Sequence, residues 1–267
     1  MKIASYDEGL ELRVGGLPPI WIHVGLPLIT LFITFPLWHR FEPPRLIAAT
    51  IVIVGMMLSI LAHELGHALT ARRFGLKPAL IRLHAGGGEA IMQGEPWTRT
   101  QDALITLAGP LANIAIGLLC LLAYALMPVP EAIASADFPW TRPPPVAPTA
   151  ARLALSWLGW INLAWGAVNL LPAYPLDGGH LLHSTIAARR GPDYALYWTG
   201  LLGTIFAIIA KYVFIGSLMT GMVIWSPPYL RPNLKALKAA RRHWPSWVWR
   251  MRAAAARVRA AFTRRRR

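Results

Sequence analysis

Residues Leu61–Thr70 read LAHELGHALT, two histidines and a glutamate set in an apolar run that begins at Leu46. No charged residue interrupts that run as far as Ala62. A charged side chain at the bilayer centre costs about 2.5–3.5 kcal/mol even on insertion scales, so Glu64 between two histidines requires a partner. Side chains four apart leave one face of a helix about a turn apart. His63 and His67 can therefore offer two imidazoles to one metal ion, and Glu64 can reach a bound water without being a ligand. The bland reading, helical histidines bonded to their neighbours, leaves the glutamate unexplained.

The bulk numbers agree with a hydrocarbon setting. The 267 residues are 55% hydrophobic, with a mean hydropathy of +0.43 and 15% charged residues, against about 25% charged in ordinary soluble domains. Several apolar runs exceed the length that reads as a transmembrane helix. The net charge of +15 is concentrated: residues 231–267 hold 13 Lys or Arg and no acid. A nearly neutral hydrophobic body with a basic appendage is not a basic domain gripping nucleic acid, and no nucleic-acid partner is expected. Cys120 stands alone and reads as small core packing. No secretory signal is visible in the mixed-charge start MKIASYDEGLELRVGG.

These runs predict an all-α polytopic membrane protein of about six transmembrane helices. A small β-hairpin or re-entrant loop, within residues 75–100, follows the second. The spans fall at about Pro18–Trp38, Leu46–Phe74, Ala103–Met127 and Ala151–Leu171. The 32 apolar residues from Tyr194 to Trp225, with Lys211 near their middle, are read as a tight helical hairpin. The proline-rich stretch 127–150 reads as an extended loop. Short loops rich in Lys and Arg stay cytoplasmic. Arg72, Arg73, Lys77 and Arg82 after the second span, Arg189 and Arg190 after the fourth, and the basic tail then put both termini inside. Domain boundaries follow: 1–16 a cytoplasmic segment, 17–226 a membrane-embedded core, 227–267 a basic cytoplasmic tail.

Two histidines leave a catalytic metal site one protein ligand short. Asp177 is the best candidate, being the only acid from Pro139 to Gly191 and following a helix broken by NLLPAYPLDGG, residues 169–179. Irregular backbone at membrane depth is tolerated mainly where it lines a cavity. HELGH at 63–67, together with Asn169, Pro172, Asp177 and Gly178 in the later span, resembles the site-2 protease family of intramembrane zinc metalloproteases. That family pairs H-E-x-x-H with a distant N-x-x-P-x-x-x-x-D-G. AGPLANIAIG, residues 108–117, resembles its G-P-x-x-N segment and carries Asn113. HAGGGEA, residues 84–90, resembles its glycine-containing β-loop. The PDZ or CBS domains of many relatives have no counterpart in the sequence.

The resemblance implies one Zn²⁺ per chain on His63, His67 and Asp177, Glu64 as general base, and a transmembrane or membrane-tethered protein as substrate. Asn169 and Asn113 are candidates for oxyanion or substrate support, with helix–helix hydrogen bonding open for both. Gly86 and Gly87, with Gly88, would let a substrate strand approach; ordinary turn glycines explain the same letters. His23 reads as interfacial, His180 and His183 as possible support for the site, and His84 has no assignment. The implied location is the bacterial cytoplasmic (inner) membrane.

In the tail, Trp247, Met251, Ala254, Val258 and Phe262 recur at helical spacing beside arginines. This reads as an interfacial amphipathic helix on anionic lipid, with a disordered anchor as its alternative. A catalytically silent scaffold that keeps the zinc site is the competing reading of the whole chain, and a metal transporter the third.

Overall fold

The computed structural model describes residues 2–6, 8–95, 98–128, 149–219 and 230–240. The chain forms two compact units, Met1–Leu171 with Ala210–Pro227 and Pro172–Ile209 with Pro228–Arg267. It is mostly helical, with a small β-sheet in the first unit.

That sheet has five strands: β1 (Lys2–Tyr6), β2 (Gly9–Arg13), β3 (Ile20–His23), β4 (Lys77–His84) and β5 (Gly87–Gln93). They lie side by side in chain order. Neighbours are antiparallel except β3 and β4, which run parallel with Ile20 opposite Ile81 and Ile22 opposite Leu83. The β4–β5 hairpin turns through Ala85 and Gly86, where the Gly86 amide donates to His84 Nδ1 at 3.0 Å.

The expected first helical span is thus corrected. Residues 18–38 form β3 and two short helices, α1 (Gly25–Ile33) and α2 (Phe35–Trp38). Pro18 and Pro19 cannot donate the amides of a helix interior. Ile20 and Ile22 suit a strand, and Ile20 enters a core with Ile81, Leu83, Leu26, Ile60 and Ala68. His23 Nδ1 accepts the Gly25 amide at 2.9 Å.

The helix α3 (Pro43–Arg73) carries the opening motif. Prolines in its first turn lose no hydrogen bond there, and Arg72 and Arg73 in its last turn complement the dipole. It stops at Phe74, followed by Gly75 at φ 85, with the Leu76 amide returning to the Ala71 carbonyl at 3.1 Å. Its buried face runs Ala48, Val52, Met56, Ser59, His63 and Glu64, then Ala68 and Ala71. The titratable residues therefore sit on the packed stripe, not the lipid-facing one.

Packed on it are α4 (Arg99–Leu126) and α5 (Ala150–Asn169). Thr98 and Gln101 form a reciprocal capping box at the start of α4. A Cβ at Gly117 would lie 2.9 Å from the Gly159 carbonyl, and one at Gly166 2.9 Å from the Pro110 carbonyl. Small residues thus let α4 and α5 meet backbone to backbone, the packing mode favoured in lipid.

In the second unit, residues 172–176 lead into α6 (Asp177–Arg190), and α8 (Leu230–Ala239) packs against Gly200 and Gly203 of α7 (Pro192–Met219). The helix α7 runs unbroken through Lys211. The hairpin expected there is corrected to one helix, since a single lysine on an exposed face leaves the backbone ladder intact and its long stem lets the charge reach water.

Three helices, α3, α4 and α7 over Pro192–Gly216, are long and apolar enough to cross a membrane. Large apolar side chains such as Ile51, Leu58, Leu118, Leu122, Ile209 and Val213 remain exposed on them, as lipid contact requires. The six expected spans are not reached among the described residues. The helix α5 forms where expected, but its Trp, Gly and Asn dilute it. Most of the proline-rich loop and the amphipathic stripe from Trp247 to Phe262 lie outside the described residues.

Candidate metal centre

His63 and His67 stand one turn apart on α3 with ring centroids 4.8 Å apart. His63 Nδ1 lies 2.6 Å from Asn113 Oδ1, and His67 Nδ1 lies 2.7 Å from the Ile105 carbonyl oxygen. A carbonyl only accepts, so Nδ1 of His67 carries its proton. For His63 the same follows through a chain of amides. Asn162 Nδ2 donates to the Leu158 carbonyl at 2.9 Å, leaving its Oδ1 to accept from Asn113 Nδ2, also at 2.9 Å. Asn113 Nδ2 further faces the Ser59 carbonyl at 3.3 Å, so the Asn113 oxygen is turned to His63 and accepts from it.

Both Nε2 atoms are then lone-pair donors, and they lie 3.1 Å from each other. Lone pairs at that distance repel unless a cation, a proton or a metal ion, shares them. Tetrahedral zinc, with bonds of about 2.0–2.1 Å, holds two imidazole nitrogens roughly 3.3 Å apart. The histidine pair fits that ion. Two imidazoles and a carboxylate are also a zinc-type donor set. In the first unit, His63 and His67 offer the two imidazole nitrogens of such a set.

Glycines keep the space around the rings open. A Cβ at Gly109 would collide with His67 Nε2 and come within 2.8 Å of His63 Nε2. One at Gly66 would lie 2.7 Å from the Ala108 carbonyl, so α3 and α4 touch at the metal-ligand turn. Next to Gly109, Pro110 inside α4 has no amide for the carbonyl four residues back. Glu64 is buried and stands against β5, where a Cβ at Gly88 would lie 2.5 Å from its Oε1.

The sequence-predicted residues fall as follows. Asn113 is 2% exposed and stands behind His63, the helix–helix alternative rather than an open donor. Gly86 sits in the hairpin turn, and Gly87 opens β5 at φ 127. The glycine that meets Glu64 is Gly88. Asn169 is half-buried at the last residue of α5. In the second unit, Asp177 is the first residue of α6, where a carboxylate suits the helix dipole. His183 on α6 has its pKa lowered by burial, and by His180 beside it. Asn162 was missed. The signal available was an asparagine in an apolar helix, flanked by Gly159 and Gly166 at helical spacing.

Two family models match in succession, Peptidase M50B-like over residues 28–133 and Peptidase family M50 over 144–210. Among curated proteins, one of Synechocystis sp. named as a zinc metalloprotease, sll0528, is 33% identical over 189 residues, covering 66% of this chain and 44% of its own length. The zinc metalloprotease MJ0392 of Methanocaldococcus jannaschii is 29% identical over 141 residues, 53% of this chain and 36% of that protein. The chain thus spans less than half the length of each of these two. A solved structure, the site-2 protease from Methanocaldococcus jannaschii, superposes with a TM-score of 0.55 at 23% identity, over 88% of this chain and 94% of the other. The chain shares the fold of that structure. The chain belongs to the site-2 protease family, peptidase family M50.

Proposed function

We propose that this membrane protein is an intramembrane zinc endopeptidase, with His63, His67 and Asp177 as ligands and Glu64 as general base. The observation that carries this reading is the histidine pair, its Nδ1 protons tied to carbonyl oxygens and its Nε2 lone pairs converging at 3.1 Å.

Zinc, when bound, would supply Lewis acidity that lowers the pKa of water toward neutrality. Asn113 and the Ile105 carbonyl hold the two rings by Nδ1, so that the Nε2 atoms would be the ones to bind the ion. The Glu64 carboxylate takes a proton from the attacking water and returns it to the leaving amine. Gly88 lets the strand backbone lie against that carboxylate. Asn169 serves as a donor to substrate or to the developing oxyanion.

A peptide bond inside an intact helix is shielded by its own hydrogen bonds, so substrate is taken as an extended stretch. The edge that suits it is β5. It ends the sheet, its outer side has no strand partner among the described residues, and it passes Glu64 at Gly88. An added strand there gains main-chain hydrogen bonds. Substrates are transmembrane or membrane-tethered proteins. The protein sits in the bacterial inner membrane with both termini cytoplasmic, and its basic tail rests on anionic lipid.

The test uses purified full-length chain in lipid nanodiscs. The wild type is expected to carry one zinc and hydrolyse a membrane-spanning peptide. Glu64→Gln should keep the zinc and lose cleavage by at least about a thousandfold, and Asp177→Ala should lose zinc. Cleavage by Glu64→Gln at the wild-type rate would overturn the general-base assignment. Full zinc in Asp177→Ala would remove that ligand.

A further inference from the structure

We infer that Asn233, on α8 and beyond both matched family regions, is a positioning residue for the metal centre. It fixes the backbone that delivers Asp177. This rests on the reading of Asp177 as a zinc ligand.

The segment Pro172-Ala173-Tyr174-Pro175-Leu176 precedes Asp177 and has few ways to hold itself. Its two prolines have no amide to donate. Leu176 makes no side-chain cap for α6. Its internal bond runs from the Leu176 amide to the Ala173 carbonyl at 2.8 Å. Tyr174, between the prolines, has both main-chain groups taken by one side chain. Its amide donates to Asn233 Oδ1 at 2.9 Å, and Asn233 Nδ2 donates to its carbonyl at 2.7 Å.

Such two-way pairing needs a donor and an acceptor held side by side on one planar group. Among side chains only the amides of Asn and Gln offer that. Asn233 is 0% exposed, so no water replaces it when it is changed. The amide is seated by the neighbouring helix. A Cβ at Gly203 of α7 would overlap Asn233 Oδ1, and one at Gly200 would lie 2.5 Å from the Leu237 amide. A Cβ at Gly179 of α6 would lie 2.6 Å from the Ala173 carbonyl carbon, so the turn is packed tightly on the helix that Asp177 starts. The path is contiguous: Gly203 leaves room for Asn233, Asn233 pairs with Tyr174, and Tyr174 lies three residues before Asp177.

Groups that orient ligands are worth about tenfold to a hundredfold in metal affinity. The test is cobalt(II) titration of the full-length, metal-free chain in nanodiscs, read by the visible d–d spectrum. That spectrum reports coordination directly and needs no substrate. Asn233→Leu, which loses both bonds, and Asn233→Asp, which keeps the acceptor and loses the donor, are each expected to bind cobalt about tenfold to a hundredfold more weakly with an altered spectrum. Circular dichroism should show the helix content unchanged. Gly203→Ala should act like them on its own by displacing the amide, and should add little in the Asn233→Leu background. Variants that keep wild-type affinity and spectrum overturn the inference while leaving the metal site intact. A wild-type chain that binds no cobalt overturns the metal site and this inference together. Variants that lose helix content along with cobalt also overturn it, since Asn233 would then be a fold residue alone.

Discussion

At the scale of single residues, the site depends on which nitrogen of each imidazole carries a proton. Asn113 decides it for His63, and Asn162 holds Asn113. Asn113→Leu should weaken zinc binding about tenfold to a hundredfold, because the His63 ring loses the acceptor that fixes it. Asn162→Leu should weaken it less, since the Asn113 amide keeps the Ser59 carbonyl. Competition with a chromogenic chelator measures both, and equal affinities for the wild type and Asn113→Leu would contradict the arrangement. His63, Glu64 and His67 are candidates from spacing alone, and Asp177 from its isolation. The task of Asn113 was not. An asparagine in an apolar helix signals a polar partner, but which helix it faces depends on close approaches at Gly109, Gly117 and Gly159.

At the scale of elements, two adjacent glycines do different work. Gly87 lies at φ 127 with open space around it, so it serves the turn of the chain. Gly88 has an ordinary backbone but abuts Glu64. Gly88→Ala is therefore expected to keep zinc and lower turnover by at least about tenfold, because the new methyl group displaces the base. Gly87→Ala should cost stability, about 1–3 kcal/mol of backbone strain, read as a lower Tm with less effect on turnover per folded molecule. Equal turnover in Gly88→Ala and the wild type would sink the placement of Glu64. The long helices α3 and α4 were readable from unbroken hydropathy. β1 to β3 were not. They are short, and an apolar run such as Ile20–His23 fits a span until its parallel partner β4, some 60 residues on, is known. The apolar run from Tyr194 concealed that α7 has no turn at Lys211, since one lysine does not bend a helix.

At the scale of the whole molecule, three apolar helices carry lipid-facing residues outward while the titratable stripe of α3 faces protein. Burying His63 and Glu64 in that setting suits the proposed hydrolysis within the bilayer. A soluble peptidase has no reason to accept such a location. The most direct test is to map new protein termini in membranes from cells making the wild type or Glu64→Gln at equal zinc content. Termini within or beside apolar spanning segments should appear with the wild type and vanish with Glu64→Gln. Identical sets of termini from the two would contradict the proposed hydrolysis.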